Sequence, residues 1–104
     1  MNTKKVGKWN VKIVRKGETY GRGNALANHD DQPLVEFYDG SQDPTKFGEL
    51  GQFVTRYRLG TLLKEHDGSD RPFGRLDLHS DIPAWTVQAN EMKEITEWLS
   101  TLSK

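Results

Sequence analysis

Three histidines each stand beside carboxylates: His29 with Asp30 and Asp31, His66 with Glu65 and Asp67, and His79 near Asp77 and Asp81. Imidazole and carboxylate are the groups that metals and general acid–base catalysis draw on. None of the three clusters has the HExxH spacing that sets two ligands on one helix face. Each lies in or beside a polar loop, where aspartate is expected for turn chemistry alone. A site would need separate loops to converge, so three ordinary surface loops are the preferred reading. No catalytic residue, metal ligand or cofactor-binding residue is assigned, and no cofactor is expected. The chain has no cysteine, which removes thiol nucleophiles, thiolate metal sites and disulfides. Ser41 and Ser69 each follow a glycine and read as turn residues, outside any GxSxG elbow.

Two glycine patterns resemble phosphate-binding motifs in letters only. Tyr20–Ala25, YGRGNA, has a GxG but no following GK[ST] and no helix opening behind it. Gly48–Gly51, GELG, matches the GxxG of the KH RNA-binding module, yet its glutamate would repel phosphate and it falls inside an expected helix. Gly48 and Gly51, with Thr55, read instead as a small-residue shoulder for close packing.

Charge gives a further candidate. The chain is formally neutral, with fifteen basic and fifteen acidic residues. Residues 1–16 nevertheless hold Lys4, Lys5, Lys8, Lys12, Arg15 and Lys16 and no acid. Lys8, Lys12 and Lys16 define a possible anion-binding face. The strand carrying them places its aromatic residue, Trp9, on the opposite side, which weakens a nucleic-acid surface that needs exposed rings for stacking. Neutralisation within the fold is the favoured reading of the two.

These residues must be held by a small domain. At 104 residues there is room for one domain over 1–104, with residues 1–6 expected as a flexible tail. Lys8–Arg15 alternates, with Trp9, Val11 and Ile13 on one face, and predicts a half-buried strand. Lys16–Glu18 reads as a turn and Thr19–Ala27 as a return strand interrupted by Gly21 and Gly23. Leu34–Tyr38, LVEFY, predicts a central strand. Asp43 and Pro44 form a cap and first-turn pair for a helix running towards Lys64. On that helix Phe47, Leu50, Val54 and Tyr57 share a stripe flanked by Phe53 and Leu62, with Glu49, Gln52 and Arg56 opposite. Arg58 falls inside the stripe and Leu59 and Leu63 fall outside it. Either the helix bends or ends near Gly60, or Leu59 and Leu63 face a partner beside Gln52 and Arg56. Two interior glycines would cost this helix about 2 kcal/mol. Arg75–His79 and Trp85–Val87 read as short strands. Gln88–Leu102 predicts a closing helix with Met92, Ile95, Leu99 and Leu102 inward and Trp98 beside them. The order is βββα(β)βα: an α+β fold with a mostly antiparallel sheet of four or five strands and two helices packed on one face.

The words PLVEFYD at Pro33–Asp39, FGELGQFVTRY at Phe47–Tyr57 and IPAWTV at Ile82–Val87 resemble small proteins of bacteria and their prophages whose activity is not known. They span about a quarter of the chain and are packing motifs, so the resemblance implies an origin and no site residue. No apolar run is long enough to span a membrane, and the opening residues lack the apolar segment of a secretory signal. A cytoplasmic protein is expected. The leading functional reading is a non-catalytic module that binds another protein or itself. The alternative is an accessory nucleic-acid binder that uses the basic N-terminal strand face, and a small enzyme comes third.

Overall fold

The computed structural model describes residues 2–21, 25–66, 71–75 and 84–102. The first four strands are β1 (Thr3–Val6), β2 (Trp9–Val14), β3 (Leu34–Asp39) and β4 (Gln52–Arg58). They pair antiparallel in chain order, β1-β2-β3-β4. A single helical turn, α1 (Pro44–Phe47), lies between β3 and β4. The helix α2 (Leu59–His66) follows β4 without a loop. A small hairpin, β5 (Phe73–Arg75) with β6 (Trp85–Val87), leads into α3 (Ala89–Leu102). The fold is therefore α+β with a mostly antiparallel sheet, as the residue pattern predicts, but the expected single sheet and two helices are a four-stranded sheet, a separate two-stranded hairpin and three helices, in the order βββαβαββα.

Alternation in β2 places Trp9, Val11 and Ile13 on one side, and the register sets Val11 opposite Phe37 and Ile13 opposite Val35. These residues meet Leu59 and Leu62 of α2 and Met92, Ile95 and Leu99 of α3 in one core. Phe73 carries the β5–β6 hairpin into that core, its ring 5.2 Å from those of Phe37 and Tyr57 and 5.3 Å from Trp85. We call this side of the sheet the inner face.

Four further expectations are corrected. Residues 3–6 are not a tail: they form β1, held to β2 with Val6 buried beside Trp9. Thr19–Ala27 is not a strand; only the isolated bridge Thr19–Ala27 forms among its described residues. The long helix from Asp43 does not exist. Asp43 does cap a helix, its side chain accepting from the Thr45 N–H at 2.9 Å, but α1 stops at Phe47. Gly48 and Gly51 follow with φ of 84° and 97°, the left-handed region that glycine alone enters cheaply. A Cβ on Gly51 would also collide with the Asp39 carbonyl. These glycines reverse the chain so that Gln52–Arg58 returns as β4. Of the expected helical stripe, Phe53, Val54 and Tyr57 lie in β4, Phe47 in α1, Leu50 in the turn between them and Leu62 in α2, so the cost of Gly48 and Gly51 to a helix interior does not arise. The fourth correction concerns Leu59 and Leu63. Leu59 is buried at the start of α2, so this chain covers it, and Leu63 is half-buried, packed partly against the core. Arg75 ends β5; the rest of the expected strand Arg75–His79, and His79 itself, lie outside the described residues.

Candidate functional site

The other side of the sheet, the outer face, is built from the alternate residues of the same strands. The register sets Lys12 opposite Glu36, and Glu36 opposite Arg56. Beside them Asn10 lies opposite Tyr38, and Tyr38 opposite Phe53. Between Thr55 and Phe53 the pairing with β3 shifts by one residue at a bulge, which swings Phe53 onto the outer side. Its ring lies 5.7 Å from that of Tyr38 and remains 41% exposed.

Both long connections fold onto this face. The β2–β3 connection lays Tyr20 and Gly21 over the middle of the sheet, and the β3–β4 connection brings Leu50 to Asn10, whose side-chain amide donates to the Leu50 carbonyl at 2.7 Å. The gap between the two connections is a concavity of about 350 Å³. Tyr20, Phe47 and Phe53 give it aromatic walls, and Glu36, Tyr38 and Arg56 line it with polar groups.

Glu36 is fully buried, an unusual position for a carboxylate. Three donors satisfy it. Its Oε1 accepts from the Gly21 N–H at 2.9 Å, and its Oε2 accepts from the Tyr38 hydroxyl at 3.0 Å and from Arg56 Nη2 at 2.9 Å. Burial, and after it the neighbouring Glu36 charge and hydrogen bond, push the Tyr38 phenol well above the usual tyrosine range, with Arg56 opposing. The Tyr38 hydroxyl stays protonated at neutral pH, as the donor of its bond to Glu36 requires. Arg56 lies over the Tyr20 ring at 3.8 Å and 5.0 Å from the centre of the Phe53 ring. Such an arrangement holds a guanidinium by stacking and charge together. Chemically the site is a closed polar network under an aromatic rim. Its buried groups bond one another.

The residues expected from the sequence are distributed as follows. Arg56 lies at the centre of this site. Gln52 is exposed at the start of β4, beside a different surface formed with Trp9 and Trp85. Leu59 and Leu63 lie on the inner side, near Ile13 and Leu102. Each lysine of the expected anion-binding face meets an acceptor of the same chain. Lys8 is 3.5 Å from Asp39 and lies over the Trp9 ring, Lys12 donates to the carbonyls of Thr19 and Gly21, and Lys16 is 2.6 Å from Asp31. His29 is exposed in the β2–β3 connection, whereas His66 is buried at the end of α2 with its ring 5.3 Å from Phe73. Burial, and then Arg71, push the His66 imidazole below its ordinary value, with Glu65 and a backbone hydrogen bond opposing. Among the described residues no group of three or more His, Asp or Glu could hold a metal ion.

Glu36, Tyr38 and Tyr20 have no place among the sequence candidates. One signal marks the first: a glutamate inside the apolar run LVEFY of a central strand must be buried, and a buried carboxylate must find donors. Among the described residues no helix is long and apolar enough to cross a membrane. No protein family matches this chain, and comparison with curated proteins and with solved structures gives no match.

Proposed function

We propose that this protein is a small, non-catalytic protein-interaction module of the cytoplasm. Its contact surface is the outer sheet face around Phe53, Arg56 and Tyr20, in place of the α2 leucines. The observation that carries this reading is Phe53. It is a large aromatic side chain left 41% exposed at the rim of a formed concavity, while the inner face has fully buried rings of its own. Exposed aromatic residues seated beside arginine and tyrosine are the composition that protein interfaces favour. The mutual hydrogen bonding of Glu36, Tyr38 and Arg56 within the network argues for binding over chemistry.

The test is site-specific photo-crosslinking. A benzophenone side chain is placed at position 53 and, as a control, at Glu97 on the exposed side of α3. A defined protein adduct is expected at position 53 and not at position 97. The adduct is identified by mass spectrometry, purified and titrated. Its affinity for the unmodified chain should fall at least tenfold on Phe53→Ser, a loss of about 1.4 kcal/mol. If the adduct is a second copy of this chain, light scattering should show a concentration-dependent dimer. Equal labelling at both positions, or none at position 53, overturns the reading.

A further inference from the structure

β4 is the last strand of the sheet. It bonds to β3 on one side, and among the described residues no backbone meets it on the other. It is also the longest strand of that sheet, with 7 residues, none of them buried, and it holds no proline, lysine or carboxylate. Free edges are usually blunted, because their unpaired N–H and C=O groups accept a further strand. The opposite edge is blunted in this way: β1 has 4 residues, and two of them are Lys4 and Lys5. β4 is irregular at its start, where the bulge lies, and Thr55–Arg58 keeps a regular register with β3.

The side chains of that regular stretch select what can pair with it. On the outer face the cross-strand row reads Lys12, Glu36, Arg56, alternating in sign, and Arg58 follows on the same face. Each arginine meets one carboxylate of this chain through a single terminal nitrogen, Arg56 with Glu36 at 2.9 Å and Arg58 with Asp30 at 3.2 Å. A guanidinium has five N–H donors, so both keep donors for a second acceptor, and their side chains are 35% and 62% exposed. Thr55 and Tyr57 alternate with them on the inner face. A concavity of about 300 Å³ opens beside this stretch, walled by Arg56, Tyr57, Arg58 and, from α2, Thr61.

A second copy of the chain does not fit. Two β4 strands paired antiparallel about a twofold axis keep like faces together. Centring that axis on Arg56, Tyr57 or Arg58 sets arginine against arginine, which is unfavourable. Centring it on Thr55 sets Phe53 against Tyr57, and the bulge has placed those two on opposite faces.

We propose that the free edge of β4 takes up an extended acidic segment of another protein as a fifth strand. Its carboxylates lie opposite Arg56 and Arg58, and its apolar side chains lie beside Thr55 and Tyr57. Backbone bonds supply affinity and the alternate side chains supply selectivity, as in other strand additions. Such a strand passes Phe53, the second residue of β4, so its existence rests on the interaction reading above.

The probe is a synthetic peptide of the same length as β4, alternating valine and glutamate and capped at both ends, titrated into the isotope-labelled full chain. Amide resonances of residues 52–58 should shift with a Kd below about 1 mM, while those of β1 stay in place. A peptide with lysine in place of glutamate should bind at least tenfold more weakly. Arg58→Gln, at an exposed position that leaves the core intact, should lower affinity for the acidic peptide about threefold. Backbone pairing has its own readout. Successive residues of a strand direct their N–H groups to opposite edges, so N-methylation of all the valines blocks one edge of the peptide and N-methylation of all the glutamates blocks the other. One of these two peptides should bind and the other should not. Binding of both or of neither, equal affinity for the lysine peptide, shifts centred away from β4, or no binding by the acidic peptide overturns the proposal. If position 53 captures a protein while the acidic peptide leaves β4 unmoved, strand addition fails alone. If the peptide adds to β4 while position 53 captures nothing, the interaction reading fails alone.

Discussion

The two faces of one sheet are stabilised in opposite ways. On the inner face Val35 and Phe37 meet Val11, Ile13 and the helices by apolar burial. One residue along β3, Glu36 and Tyr38 are buried as well, yet Glu36 meets loop backbone and an arginine, and Tyr38 meets Glu36 and the Phe53 ring. The apolar face tolerates any neighbour of the right shape. The polar face depends on each donor finding its acceptor, because an unmade bond in a buried site costs more than a made one contributes. The inner face therefore supplies stability, and the outer face supplies a defined arrangement of groups.

Four substitutions or conditions break or sharpen that contrast. The largest effect is expected on the inner face. Phe37→Ala removes a fully buried ring and should lower unfolding free energy by about 3–5 kcal/mol, read as a fall in the urea midpoint at unchanged slope. On the outer face Arg56→Ala should cost about 1–3 kcal/mol, because it deprives buried Glu36 of a charged donor, less than a fully buried pair would lose because the Arg56 side chain is 35% exposed. A loss as large as that of Phe37→Ala would erase the distinction between the faces.

Smaller is the contribution of His66, on the inner side. Its folded value lies below the ordinary one, so the unfolded chain binds the proton more readily. The stability this brings is full above about pH 6.5 and is lost as pH falls through that value towards the depressed folded one. Melting temperature should thus decline between about pH 7.5 and about pH 5.5, and His66→Phe should flatten the decline. The smallest effect belongs to Phe53→Ser. At the exposed rim it should change stability by no more than about 0.5 kcal/mol, measured by the same urea titration, while lowering affinity for the captured partner at least tenfold.

How much of this is legible in the sequence follows the same divide. The inner face is readable where alternation is strict: Trp9, Val11 and Ile13 announce β2, and Met92, Ile95 and Leu99 announce α3. LVEFY reads as a central strand, but burial on both sides removes the alternation that would have assigned Glu36 and Tyr38 to a face. Between Phe47 and Arg58 the pattern misleads. A bulge in β4 breaks the period of two, and spacings of three and four residues then imitate a helix. The glycines that argue against a helix there are the residues whose positive φ makes the turn. Of the site, Arg56 is among the sequence candidates and Glu36 is marked by its place in LVEFY, whereas Tyr20 and Phe47 come from segments whose approach depends on how two long connections settle on the sheet.

The chain-order pairing of the sheet bears on how the protein is made. Each of the four strands hydrogen-bonds only to its sequence neighbours, so the sheet can assemble by successive hairpin closures, the first across a tight turn and the next two across long connections, whose closure entropy grows only slowly with length. Such topologies lower the mean sequence separation of contacts and favour rapid folding. The β1–β2 hairpin and β3 emerge from the ribosome early, well before α3, whose apolar stripe is needed to cover them. Between those moments Trp9, Val11, Val35 and Phe37 face water together, and that interval is when the nascent chain is most prone to aggregate.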